Sequence, residues 1–391
     1  MDERAPTGSW SPAPSVRSEV DPFIVMDVLA RAQALEAEGR RIVHLEVGQP
    51  GTGAPEGARR ALAAALEAGP LGYTAGLGLP ALRARIAARY GERHGVDLDP
   101  GRVVVAAGAS GAFVLAFAAL FEAGARVGLG VPGYPSYRAI LKAMSCEPVA
   151  IPTRAQDRFQ PRPGDVAGLD GLIVASPANP TGTILGRAEL GALAAACEAE
   201  RAALVSDEIY HGLTWSGEEV SALEVWDGAV IVNSFSKYFS MTGWRVGWLV
   251  VPPALVRTAE RLAQNLFICA SHAGQVAALA AMDCGPELEA NREVYAGNRD
   301  VVLDGLRAAG LTRFSPPEGA FYVWVDVSGT GLDSRALATA LLEEAGVATT
   351  PGADFDPARG GSWLRLSYAG GRAEVEEGMA RIAGWLAGRA G

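Results

Sequence analysis

Short apolar runs alternate with helical segments through the middle of this chain, and that alternation constrains the fold more than any other feature. Strands are predicted at Arg102–Ala106, Val127–Leu129, Leu172–Ala175, Ala203–Ser206, Val230–Asn233 and Val246–Val251. Apolar residues at helical spacing predict helices over Ala58–Leu66, Ala81–Tyr90, Ala112–Phe121 and Ala188–Ala199, the second with Pro80 in its first turn. Strands this short and this uniformly apolar need cover on both faces, which a parallel sheet between helices provides. The expected class is α/β: a three-layer αβα large domain with a mainly parallel sheet. Ligands bind such sheets beyond the carboxyl ends of the strands. The chemically interesting polar residues fall there, each just past a strand.

The pattern changes near residue 291. A helix over Asn291–Ala308, a strand at Phe321–Val325, a helix over Ser334–Ala345 and a strand at Trp363–Ser367 predict a smaller α+β domain. The expected division is an arm at 1–20, a segment at 21–47 that packs with the small domain, a large domain at 48–290 and a small domain at 291–391. The 21–47 segment carries a helix predicted over Asp21–Gly39, ended by Gly39, and a strand at Ile42–Val47.

The basic residues narrow the chemistry. Of 34 lysines and arginines only Lys142 and Lys237 are lysine. Guanidinium serves wherever a fixed positive charge is enough, but it cannot act as a neutral amine toward a carbonyl. Lys237 stands just past a predicted strand, where a primary amine is a candidate Schiff-base former. A formal net charge of -10 argues against nucleic acid or an anionic membrane surface as the main partner. No apolar stretch is long enough to span a membrane, and the N-terminus does not read as a signal peptide. Cys146, Cys197, Cys269 and Cys284 form no CxxC pair, so reduced thiols and a cytoplasmic location are expected.

The sequence around that amine is Ser234-Phe235-Ser236-Lys237-Tyr238-Phe239-Ser240-Met241-Thr242-Gly243-Trp244-Arg245. Hydroxyls before the lysine and an arginine after it suit a phosphate dianion. The segment resembles the pyridoxal-phosphate-binding signature of class I and II aminotransferases, a fold-type I group. Landmarks of the resemblance run from Gly48 to Arg365. It implies pyridoxal 5'-phosphate as cofactor, held by Lys237 as a Schiff base, with the freed amine moving a proton at the substrate Cα. It implies Arg245, Ser234 and Ser236 as phosphate partners, together with backbone N–H groups at Ala109 and Ser110. Asp207 resembles the aspartate that pairs with the pyridine nitrogen, and Tyr210 the phenol on the cofactor 3'-oxygen. Glu208 is the competing carboxylate, aimed elsewhere because neighbours on a strand point to opposite faces.

Asn179, in Ser-Pro-Ala-Asn-Pro-Thr-Gly, matches the asparagine that reaches the 3'-oxygen and the substrate carboxylate. Tyr134 matches the aromatic that stacks on the pyridine ring. Arg365, in Trp-Leu-Arg-Leu-Ser-Tyr, matches the arginine that grips the α-carboxylate as a planar fork, and Gly48 the glycine that lets substrate approach. Tyr73 resembles the tyrosine given to the neighbouring subunit's phosphate, which implies a homodimer with shared sites. The resemblance therefore implies transfer of an amino group between an L-amino acid and a 2-oxo acid. Carbon–sulfur β-lyases share these landmarks and are the alternative. A pyridoxal-phosphate-binding regulatory domain is a third reading, disfavoured by the short N-terminal arm. Phe23, Trp10 and Tyr73 would line an apolar pocket, which favours a neutral donor; no second arginine for an acidic side chain can be placed, so an acidic donor is not established. His44, His94, His211 and His272 are dispersed, and Cys269 with His272 lacks a completing pair, so no metal is expected.

Overall fold

The computed structural model of the chain describes residues 12–389. Its helices are α1 (Ile24–Ala37), α2 (Glu56–Ala68), α3 (Pro80–His94), α4 (Gly108–Leu120), α5 (Pro135–Ala143), α6 (Arg187–Glu200), α7 (Val256–Leu266), α8 (His272–Ala281), α9 (Gly285–Ala308), α10 (Ser334–Ala340) and α11 (Arg372–Arg389). Its strands are β1 (Val43–His44), β2 (Val103–Ala106), β3 (Arg126–Val131), β4 (Glu147–Pro152), β5 (Gly171–Ala175), β6 (Ala203–Asp207), β7 (Val230–Ser234), β8 (Gly247–Val250), β9 (Tyr322–Asp326), β10 (Val347–Ala348), β11 (Thr350–Pro351) and β12 (Trp363–Ser367).

A seven-stranded sheet in the order β2-β8-β7-β6-β5-β3-β4 forms the centre. Its pairs β7–β6, β6–β5, β5–β3 and β3–β4 are parallel, and only β8 runs against its neighbours. The uniformly apolar strands have helices on both faces. Phe113, Phe117 and Leu115 of α4 pack with Val205 and Val232 on one side. Leu82 and Ile86 of α3 and Leu190 and Leu193 of α6 join Leu172, Leu204 and Ile231 on the other. This is the expected three-layer α/β fold.

Beyond the sheet, β9, β11 and β12 form an antiparallel three-stranded sheet, and β1 pairs in parallel with β10. The 21–47 segment therefore joins the C-terminal layer: Ala32 and Leu35 of α1 share a cluster with Ile42, Leu342 and Ala348. Asp354 accepts hydrogen bonds from the backbone N–H groups of Ile24 and Val25, which helps fix the start of α1.

Several elements differ from expectation. The strand expected at Ile42–Val47 shortens to β1, because Leu45 onward bends toward the site. α4 begins at Gly108, so Gly108–Gly111 is its first turn rather than a loop before it. α9 starts at Gly285, and the boundary expected after residue 290 falls inside one continuous helix. The Ser334–Ala345 helix ends in a π turn at Leu341–Ala345. The sequence pattern gives no expectation of α5, β4, α7, α8 or α11. α8 carries small residues that make a weak periodic signal, and α5 hides behind Pro132 and Pro135; α7, by contrast, is strongly amphipathic.

Candidate active site

Strand register brings the site together. Ala175 pairs with Asp207, and Asp207 pairs with Val232, so loops after β5, β6 and β7 leave the sheet side by side. They open into a cavity of about 200 Å³ lined by Ala109, Ser110, Tyr134, Asn179, Asp207, Tyr210, Ser236, Lys237 and Arg245, among others. Nine residues expected at the site from sequence therefore share one wall.

Lys237 follows β7 and projects its amine into this space, where Nζ donates to the Gly48 carbonyl at 2.5 Å. Burial lowers its pKa to about 8, with Arg365 and Arg245 adding repulsion and Asp207 partly opposing them. Mildly alkaline pH thus frees the amine. Asp207 ends β6 and is 4% exposed. Burial raises its carboxyl to about 6, while hydrogen bonds from the Tyr137 hydroxyl and the Ile209 N–H and the charge of Lys237 hold it down. It is an anion at neutral pH.

The anion end lies where α4 begins. Gly108 has φ of +72°, and a Cβ there would collide with the Arg245 guanidinium. Only glycine lets that arginine lie against the first turn of a 13-residue helix, whose free N–H groups attract negative charge. Arg245 is itself held with φ of +54°, and its Nη1 donates to Thr242 O at 3.0 Å. Ser236 lines the cavity. Ser234 does not, contrary to expectation: its buried hydroxyl meets Ser236 Oγ at 2.8 Å and donates to Val246 O at 3.0 Å. Ser234 points back along the β7–β8 pair, and its hydroxyl accepts from the Ser236 N–H at 3.0 Å.

Arg365 sits on β12 and is 3% exposed. Nη1 donates to Asn179 Oδ1 at 3.0 Å, and Nη2 donates to the Glu46 carbonyl and to Thr350 Oγ1. Its Nε is buried without a partner, a donor left over for an incoming acceptor. Tyr322 and Phe355 stack on the guanidinium at 4.4 and 4.7 Å. A Cβ on Gly48 would overlap the Tyr322 hydroxyl, so this glycine makes room for protein as much as for substrate.

Two site tyrosines carry no mark in the sequence motifs. Tyr137 donates its hydroxyl to Asp207, and the Tyr322 hydroxyl meets that of Tyr210 at 2.8 Å. Tyr322 reads as an ordinary core aromatic in an apolar strand. Tyr137 had a usable signal, a second tyrosine just past the β3 strand end. Tyr73 is 83% exposed and does not join this cavity. Phe23 meets the Tyr134 ring edge-on at 5.9 Å, at the cavity's Tyr134 side. Trp10 lies outside the described residues. Glu208 faces away, as expected, toward Ser206 and Ser221.

The model of the family described as aminotransferase class I and II matches residues 40–382. The chain is 49% identical over 381 residues to the valine–pyruvate aminotransferase of Mycobacterium tuberculosis, a match covering 95% of this chain and 98% of that one. A crystal structure of an aminotransferase from Mycobacterium tuberculosis superposes with a TM-score of 0.94 at 47% identity, covering 97% and 100% of the two chains. The aspartate aminotransferase of Thermus thermophilus with maleate superposes at 0.90 with 32% identity, covering 95% and 99%.

Proposed function

The chain belongs to the class I and II aminotransferases and moves an amino group between an amino acid and a 2-oxo acid; from that premise we propose that it works with pyridoxal 5'-phosphate at Lys237 and takes a small neutral donor such as valine, with pyruvate as acceptor. The observation that carries the cofactor assignment is one amine, one carboxylate and one guanidinium on a single cavity wall.

The residues present fit that group. The Gly108 turn, the start of α4, Arg245 and Ser236 offer a dianion cradle, and a Cβ at Gly108 would push the Arg245 guanidinium away. Asp207 offers a buried carboxylate to a protonated ring nitrogen, and Tyr134 offers an aromatic face. When bound, pyridoxal phosphate supplies an aldehyde that takes up the amino group and a ring that draws electrons from Cα.

The chain's own side chains do the rest. Arg365, with its spare Nε and its position beside Asn179, holds the substrate α-carboxylate. The stacked Tyr322 and Phe355 rings keep the fork from turning. Lys237, neutral above about 8, accepts the proton leaving Cα and returns it. Asp207, anchored by Tyr137 and the Ile209 N–H, keeps its charge in place during that transfer.

The donor class rests on two supports. The cations on the cavity wall are Lys237 and Arg245, with Arg365 beside it, and each already has a partner or role, while Phe23 and Tyr134 present apolar surface. The 49% identical relative is named for valine and pyruvate. Incubating the holoenzyme with valine and pyruvate should yield alanine and the 2-oxo acid of valine. Aspartate should be a poorer donor by about 10–100-fold in kcat/KM, the range over which an apolar pocket discriminates. Equal turnover of aspartate defeats the donor assignment.

We further propose a cytoplasmic homodimer in which Tyr73 reaches the other protomer's site. Exposed Leu266, Phe267 and Ile268 support it, since Gly76 abuts Gln264 and Ile268 beside the Tyr73 loop. His272 Nδ1 ties to Gly72 O at 2.8 Å in the same region. A monomer by light scattering at micromolar concentration counts against it. The four cysteines are free, which suits a reducing compartment.

A further inference from the structure

His94 ends α3, and His211 and Glu219 lie on the connection after β6. Far apart in sequence, the three place one ligand atom each within 4.8 Å of the others. We propose that His94, His211 and Glu219 form a binding site for a divalent transition-metal ion of the zinc or cobalt kind, separate from the Lys237 cavity.

Four observations carry this. His94 has a carboxylate behind it, with Nδ1 hydrogen bonded to Glu224 Oε1 at 2.9 Å, and His211 Nδ1 lies 3.5 Å from the carboxyl of Glu208. A carboxylate at the far nitrogen is how proteins orient a metal-ligating histidine. The arrangement leaves the Nε2 atoms free, and that of His211, a residue 7% exposed, is buried with no partner at all. Two imidazoles and a carboxylate are a donor set that suits zinc, with water as a fourth ligand. Ligand atoms on a tetrahedral zinc are roughly 3.4 Å apart, so the side chains need draw in by only about an ångström.

Glu219 already accepts four hydrogen bonds: Oε1 takes them from Arg93 Nη2 at 2.8 Å and Nε at 3.2 Å, and Oε2 from Gly212 N at 2.6 Å and Thr214 Oγ1 at 3.1 Å. An ion would take the place of Arg93 at Oε1. The opposing charges are Arg93 and Arg89. Arg89 is tied up over the Tyr238 and Phe239 rings at 5.0 Å, whereas the Arg93 side chain, 31% exposed, is paired with Glu219 and must swing out to admit an ion. A bound ion would pin the connection that follows Asp207 and carries Tyr210 to the end of α3.

Cobalt(II) titrated into chelator-treated holoenzyme tests this by its visible d–d absorption. The expected result is saturation at a single ion per chain, with four-coordinate band intensity, displacement by zinc and a raised melting temperature. His211→Gln and His94→Gln should each abolish the bands while circular dichroism and transaminase turnover persist. Arg93→Gln should tighten binding by about tenfold, since it removes a like charge beside the ion. No saturable band overturns the proposal, as do bands that survive both histidine substitutions. Competition with added pyridoxal phosphate also overturns it, because it would put the ion in the cofactor cavity. None of these outcomes bears on transamination itself.

Discussion

Asp207 and Glu208 are adjacent, both buried, and sent by the chain into opposite surroundings. Asp207 faces a cavity that holds Lys237 and receives the Tyr137 hydroxyl. Glu208 faces the other side of the sheet, where it accepts from Ala222 N at 2.8 Å and from Ser221 Oγ at 3.0 Å. Burial raises both carboxyls, Asp207 to about 6 and Glu208 to about 8. The hydrogen bonds are comparable in kind. The difference is that Asp207 has a cation nearby, whereas Glu208 has the repelling carboxylate of Glu219. Desolvation sets the size of the disturbance and hydrogen bonds oppose it in both, while the nearby charge, the smallest of the causes, acts in opposite directions on the two.

Substitutions can break this comparison. The largest effect is expected at the lysine beside Asp207: Lys237→Ala should lower kcat by about 10⁴-fold, the upper range for a positioned proton carrier. Normal turnover in that variant would remove the central assignment. Next, Asp207→Asn should cost about 10²–10³-fold in kcat, on the same scale of catalytic proton control, while Glu208→Gln leaves kcat within about twofold. Equal losses in the two would mean that the two carboxylates are not functionally distinct. Arg365→Lys should raise KM for the amino acid by about 10–100-fold, the worth of one or two charge-assisted hydrogen bonds, with a smaller change in kcat.

Two pH profiles sharpen the same contrast. Capture of pyridoxal phosphate by the apoenzyme should rise with pH and level off above about 8, where Lys237 is neutral. Glu208 titrates in the folded state at about 8 instead of its ordinary 4.5, so folding favours its protonated form. That contribution to stability is complete below about 4.5 and is lost as pH rises through about 8. Glu208→Gln should therefore flatten the melting temperature across that window; an unchanged slope would assign it to other groups. The smallest difference is expected between two serines: Ser236→Ala should weaken cofactor affinity more than Ser234→Ala, by equilibrium dialysis.

Much of the site is legible in the sequence alone. Lys237, Asp207, Asn179 and Ser236 each follow an apolar strand, and a parallel sheet leaves few places for such residues to go. Arg365 sits inside a strand of the C-terminal layer, and only the family resemblance marks it. Tyr322 is not legible as a partner, because a tyrosine in an apolar run looks the same whether its hydroxyl meets Tyr210 or water, and Tyr137 shows in the sequence only its place past a strand end, not that its hydroxyl meets Asp207. The orientation of Ser234 is hidden for a related reason. Alternation along β7 and the approach of β8 turn its hydroxyl to Val246 and Ser236. His94 and His211 look dispersed in the sequence because 116 intervening residues hide their meeting at one loop.

By itself the sequence determined the layered α/β architecture, the lysine able to act as an amine and the strand-end carboxylate beside it. Those follow from hydrophobic periodicity and from what a side chain can do chemically, both local properties. Tertiary structure decided which groups stay charged, which tyrosine holds Asp207, and which way Glu208 and Ser234 face. Those depend on desolvation and on neighbours brought in from distant strands, and no local pattern records them.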